Sequence, residues 1–252
     1  MHTRTITLAT AAVLAAALTA CSSDHDPAPK EASAAQVDQP ATVEPVAVAP
    51  TVSLAWSHNA TSWDEPQVWY VTRVKNTGAS EASVAVDVRA LDKTGTIVGS
   101  AQDTLPNIPA GATFDYFGTI GGSIGTELTG TPDKIEVSRA ENAFGRAGSI
   151  EAPMLKTSEV KLTASADDTY TDAPNSYDLS AKVTNSTTDA VSSGVTQQVI
   201  LYNAQGQVVG GESGFSDNIP QTLPTGMSYR EQWTGIPAIG EATRAVYTVW
   251  VG

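Results

Sequence analysis

The chain has 252 residues and a formal net charge of −13, with 14 Lys and Arg set against 27 Asp and Glu and no basic run. That length admits two modest domains, and that charge speaks against nucleic acid, or direct adhesion to anionic lipid, as a partner of the folded part. A single cysteine, Cys21, excludes an intramolecular disulfide and a cysteine-ligated metal site, and three histidines (His2, His25, His58) are too few and too scattered for a histidine triad or a multi-histidine metal centre.

Residues 1–20 open with a short polar start carrying Arg4, continue as an apolar Ala/Leu-rich stretch and end in Leu18-Thr19-Ala20 before Cys21. This order resembles the bacterial lipobox. The resemblance implies a signal peptide removed before Cys21, acyl chains on Cys21, and a body lipid-anchored to the bacterial cell membrane on its extracytoplasmic side. An ordinary secretory signal with a chance cysteine is the plainer alternative; the apolar stretch is too short and too rich in Thr and Ala for a transmembrane helix. Residues 21–50 are rich in Pro, Ala and acids and carry no large aromatic, which predicts a disordered tether with a mean reach of roughly 30 Å. His25 stands between the nearby acids Asp24 and Asp26, but such a segment holds no fixed ligand geometry.

A first domain is expected over 51–146. Val52, Leu54 and Trp56 alternate with small polar residues as a strand with one buried face, which puts Trp56 in the core beside Leu54 and makes His58–Pro66 a loop. In the next strand, Gln67–Lys75, Val68, Tyr70, Thr72 and Val74 share one face and Trp69, Val71, Arg73 and Lys75 the other. Val84, Val86 and Val88 then point inward with Asp87 and Arg89 outward, and Asp92-Lys93-Thr94-Gly95 makes a tight turn. A proline-rich crossing (Leu105–Gly111) leads to a strand begun by Phe114 and Tyr116, and Ile135 and Val137 mark a last one.

The same order returns over 152–252. The stretch from Val84 to Gly99 aligns without a gap to Val195–Gly210: Val88 with Val199, Leu91 with Tyr202, Asp92 with Asn203, Gly95 with Gly206. Around it Tyr70 matches Leu179, Val74 matches Val183, Asn76 matches Asn185, and Pro109-Ala110-Gly111 meets Pro224-Thr225-Gly226. The fold class expected is therefore all-β, two tandem β-sandwiches, with Ala143–Pro153 as the natural hinge.

The repeated stretch resembles the FxLYD-type domain, an immunoglobulin-like module of bacterial extracytoplasmic proteins. Leu201-Tyr202-Asn203 with Gly206 is the closer copy and Ala90-Leu91-Asp92 with Gly95 the weaker; Val199 and Val88 replace the family's leading aromatic. The resemblance spans most of 51–252. It implies immunoglobulin-like sandwiches with a binding or scaffolding role, and it brings no catalytic residues.

Two features carry candidate sites. Asp167, Asp168 and Asp172, with Asn175 close by, form an acidic loop in the second domain that has the oxygen ligands calcium takes, although not in EF-hand spacing; turn-forming, solubilising acids are the plainer explanation. Trp69 with Val71 and Arg73, and Trp63 in the adjacent loop, form an outward strip where the second domain has Asp178 and Ser180. That strip is expected to meet a partner, the sister domain or a flat ligand, or else to be covered by its own loop. The functional expectation is a lipoprotein without catalytic activity or cofactor that binds a protein or cell-envelope partner. The alternative is a ligand-binding lipoprotein, for a glycan through exposed Trp or for calcium through the acidic loop.

Overall fold

The computed structural model describes residues 49–62, 65–122, 127–140, 152–166, 173–192 and 194–251. The signal sequence, Cys21, most of the tether, Trp63, Asp167, Asp168 and Asp172 lie outside the described residues, as does most of the expected hinge. Residues Val46–Gly252 belong to one compact unit.

Among the described residues the structure is all-β, without a helix. The first half contributes β1 (Thr51–Ser62), β2 (Glu65–Lys75), β3 (Ala85–Leu91), β4 (Ile97–Thr104), β5 (Thr113–Gly121) and β6 (Lys134–Arg139). The second contributes β7 (Met154–Ala164), β8 (Asn175–Thr184), β9 (Val195–Tyr202), β10 (Val208–Phe215), β11 (Ser228–Ala238) and β12 (Arg244–Val251). In the first half two antiparallel sheets, ordered β1-β2-β5 and β4-β3-β6, enclose one core of Val68, Tyr70, Val74, Val86, Val88, Phe114 and Ile120 with their neighbours. The second half repeats both orders as β7-β8-β11 and β10-β9-β12. There the sheet edges are joined by the pairs Gly210↔Ala238, Val249↔Leu155 and Trp250↔Met154, so the six strands close into a barrel.

The repeated sequence builds repeated local chemistry. Asp92 Oδ1 accepts from the N–H groups of Thr94 and Thr96 at 2.8 and 2.9 Å, and Asn203 Oδ1 accepts from those of Gln205 and Gln207 at 3.0 and 2.9 Å. Each turn closes on a glycine in the left-handed region, Gly95 at φ 83° and Gly206 at φ 77°, where a side chain would be strained. Asn76 and Asn185 are a second matched pair. Asn76 Nδ2 donates to the carbonyls of Ser80 and Ile108 at 2.8 and 2.9 Å, and Asn185 Nδ2 donates to those of Asp189 and Leu223 at the same two distances. Each amide oxygen accepts the N–H two residues on, from Gly78 and from Thr187. One buried amide thus ties the strand end to both the following turn and the proline-rich crossing, which is why an otherwise costly buried Asn sits there in both halves.

The halves part ways at Gly99 and its counterpart Gly210. The space a Cβ would need at Gly99 is filled by the side chains of Leu128 and Ile120; at Gly210 it is filled by the backbone of Pro237 and Ala238. The missing side chain lets β10 approach β11 closely enough to pair. In the first half Leu128 occupies that space, the Thr129 N–H donates to the Val98 carbonyl at 2.8 Å, and β4 is covered by a loop instead of joining β5.

Two expectations for β1 need correction. The strand runs on to Ser62, so His58 lies within it and not in a loop. The register with β2 shifts between Leu54 and Trp56, and this bulge turns Trp56 to the opposite face. Leu54 is 36% exposed, only Val52 of the trio touches the core of the first half, and Trp56 packs elsewhere.

Candidate functional site

Alternation in β2 puts Val68, Tyr70 and Val74 into the core of the first half and leaves Trp69 and Val71 on the opposite face. Both are buried there nonetheless, Trp69 to 2% exposure. With Ala60 and Phe117 they meet Ile200 and Tyr202 of β9, and Trp56, Val208 and Ile239 close the cluster. The outward face of one half is therefore apolar because it lies against the outward face of the other. Trp69 lies 6.4 Å from the Phe117 ring and 6.1 Å from His58, which in turn stacks on Trp56 at 6.1 Å.

The seam grips β5, the edge strand of its sheet. Gln198, fully buried on β9, accepts from the Phe117 N–H through Oε1 at 2.9 Å and donates through Nε2 to the Asp115 carbonyl at 2.8 Å. Its amide takes the place of a neighbouring strand and satisfies an edge that would otherwise be open to another chain. On one side of β5 Phe117 enters the seam; on the other Trp250 of β12 packs edge-on against Phe114, 6.1 Å between centroids, and joins the core of the first half. Ala152, from the end of the expected hinge, is buried in the same core.

Where the seam reaches solvent it opens into a groove of about 740 Å³. Arg73 lies on its first-half wall, 52% exposed, its guanidinium held by both oxygens of Asp115 at 2.8 and 2.7 Å. This bidentate hydrogen bond holds the guanidinium pKa above its ordinary value. On the second-half wall the Arg244 guanidinium sits 4.1 Å over the Tyr202 ring, and among the described residues no carboxylate pairs with it. Burial, reinforced by Asp115, raises the Tyr202 hydroxyl pKa, and that hydroxyl donates to Asp115 Oδ2 at 3.5 Å, a long bond to the same carboxylate that holds Arg73. Phe114, Met154 and Ile108 supply apolar lining. A cation, a phenol and an apolar floor together suit a ligand with a carboxylate beside an apolar group.

The strip expected from sequence is thus divided. Trp69 and Val71 are consumed by the sister half and offer nothing to an outside partner, while Arg73 stands at the groove. Arg244, Gln198 and Trp250 were not singled out from sequence, and Tyr202 only as part of the repeated stretch and not as a site residue. For Gln198 the signal lay in the repeat: where β3 carries the charged Asp87 and Arg89, β9 carries the uncharged Gln198 and Ile200.

No described group of three or more His, Cys, Asp or Glu could hold a metal ion, and no described helix is long and apolar enough to cross a membrane. Compared with known proteins, the chain matches no family model and no curated sequence.

Proposed function

We propose that this chain is a non-catalytic lipoprotein, held by Cys21 to the extracytoplasmic side of a bacterial cell membrane, whose two β halves, a two-sheet first half and a second half of the same strand orders closed into a barrel, are diverged copies of an FxLYD-type immunoglobulin-like module and form a binding or scaffolding module for a protein or cell-envelope partner. The groove at the seam carries this reading: Arg244 offers a guanidinium already stacked on Tyr202 and not committed to a described carboxylate, next to Arg73. An acidic side chain or terminal carboxylate of a partner fits that chemistry. The matched Asp92 and Asn203 turns and the matched Asn76 and Asn185 ties support a duplicated module of one kind.

The anchor and the groove are tested separately. Labelled palmitate should enter the wild-type protein and not Cys21→Ser; a wild-type protein that takes up no label overturns the anchor. Cross-linking in intact envelopes should yield one defined partner that Arg244→Ala loses without a change in melting temperature. Equal capture by that variant would remove the groove from the proposal.

A further inference from the structure

The groove at the seam runs along a strand edge that is open at one end and blocked at the other. In an antiparallel strand the N–H and C=O of every second residue point to the same edge. On β5 the Asp115 carbonyl and the Phe117 N–H are taken by Gln198 at 2.8 and 2.9 Å, so the edge turned away from β2 is the one shared by Thr113, Asp115 and Phe117. The phase is the same one residue earlier, where the Ala112 carbonyl faces β2 and accepts from the Asn76 N–H at 2.9 Å. Thr113 is exposed and lines the groove, and no described backbone group bonds its N–H or C=O across that edge. A chain laid along β5 from Thr113 therefore meets free backbone groups first and is then stopped at Asp115 by the Gln198 amide.

Asp115 joins this stop to the charges of the groove. Its carbonyl receives Gln198, while its carboxylate holds Arg73 through both oxygens and receives the Tyr202 hydroxyl at 3.5 Å. Asp115 and Arg73 are thus spent on each other. Arg244 is not: it lies 4.1 Å over the Tyr202 ring, and stacking uses the face of a guanidinium while leaving its N–H groups free to donate. Among the described residues the charged side chains of the groove are Arg73, Arg244 and Asp115, which leaves one net positive charge in a chain of net charge −13. One carboxylate neutralises it, whereas a polyanion brings further charge that the acidic surroundings repel. Met154 and the 37% exposed Val246 give the same groove an apolar wall.

We infer that the groove takes the C-terminal end of an extended peptide chain of the partner. The terminal carboxylate sits on Arg244, the last side chain, an apolar one, lies against Val246 and Met154, and the main chain runs beside Thr113. An acidic residue inside a chain supplies the same charge, but a chain that continues past it along β5 runs into Gln198. This inference deepens the reading of the groove given above and rests on it.

The test is nuclear magnetic resonance titration of the full isotope-labelled chain, with the Arg244 Nε–H signal identified by its loss in Arg244→Lys. The probes are the N-acetylated tetrapeptides Ala-Ser-Thr-Leu and Ala-Ser-Thr-Phe, each as free acid and as amide, the free acid Ala-Ser-Thr-Ser, an amidated Ala-Ser-Asp-Leu, and acetate. The free acids ending in Leu or Phe should shift the Arg244 Nε–H and the Thr113 backbone amide saturably, and their amides should bind about tenfold more weakly or worse. The free acid ending in Ser should bind more weakly than both. Arg244→Lys, which keeps the charge and loses the fork, and Val246→Asp, which adds a carboxylate to the exposed wall, should each weaken the free acids about tenfold at an unchanged melting temperature. If the amidated Asp peptide or acetate binds as tightly as the free acids, the groove remains a carboxylate site but not one for a chain end, and this inference alone is overturned. Amides that bind as well as acids, or full affinity in both variants, overturn it too. If no probe moves the Arg244 signal, the inference falls together with the reading of the groove on which it rests.

Discussion

Single residues in this protein do work that their class does not advertise. Asn76 and Asn185 are buried polar groups whose hydrogen bonds are spent on backbone, so they organise turns and do not signal a site. Asp103 is a different case. It receives the Tyr70 hydroxyl at 2.6 Å, and burial lifts its pKa above the ordinary 3.8 although that hydrogen bond pulls the other way. Burial, with Asp103 beside them, also raises the Tyr70 and Tyr116 hydroxyls well above the usual phenol value. The sign follows from proton linkage: between the unfolded and folded pKa values the folded chain keeps a proton the unfolded chain has lost, so this group's contribution is greatest below about 3.8 and declines as pH rises through the folded value. Asp103→Asn should therefore compare better with wild type at pH 7 than at pH 3 in paired thermal melts. A difference that stays flat, or runs the other way, contradicts the assignment.

At the scale of elements, the strand β2 shows how a correct register can still mislead about exposure. Its alternation places Tyr70 inward and Trp69 outward, as read from sequence, but outward here means into the seam and not into water. The polar Asp178 at the matching position of the second half suggests, taken alone, that Ser in place of Trp69 is tolerated. Against a seam of Phe117, Ile200 and Tyr202, the substitution should instead cost about 3–5 kcal/mol, measured by denaturant unfolding of the full chain. A loss below about 1 kcal/mol would mean the seam does not bury this ring in solution. The same reasoning separates the two halves at Gly99 and Gly210: both positions lack a side chain, but only the second lends its space to a neighbouring strand.

Over the whole molecule, the two halves share groups that neither can satisfy alone. Gln198 completes the β5 edge, Trp250 and Ala152 enter the core of the first half, and Phe117 enters a cluster otherwise supplied in part by β9. Residues 46–252 should accordingly melt as one cooperative transition. Gln198→Leu keeps the size but strips both hydrogen bonds from β5, leaving the Phe117 N–H buried without a partner at a cost of about 2–4 kcal/mol. It should lower the midpoint and let the halves unfold separately in calorimetry. Two independent transitions already in wild type, with only one moved by the variant, would show that the seam does not couple them.

Composition and periodicity determined the all-β class, the faces of β2 and β3 and the repeat, because these rest on local alternation and on turn residues such as Asp92, Gly95, Asn203 and Gly206 whose conformations are set within a few residues. The matched Asn76 and Asn185 were legible for the same reason, although the carbonyls they bind were not. Only the tertiary structure decided what lies against each outward face. Trp69 and Val71 read identically whether solvent, a partner or β9 covers them, and the bulge that turns Trp56 away from Leu54 leaves no local mark in the sequence. The groove of Arg73 and Arg244 likewise joins residues far apart along the chain. Alternation records which side of a strand a side chain occupies; what that side meets depends on the packing of sheets, which no local pattern encodes.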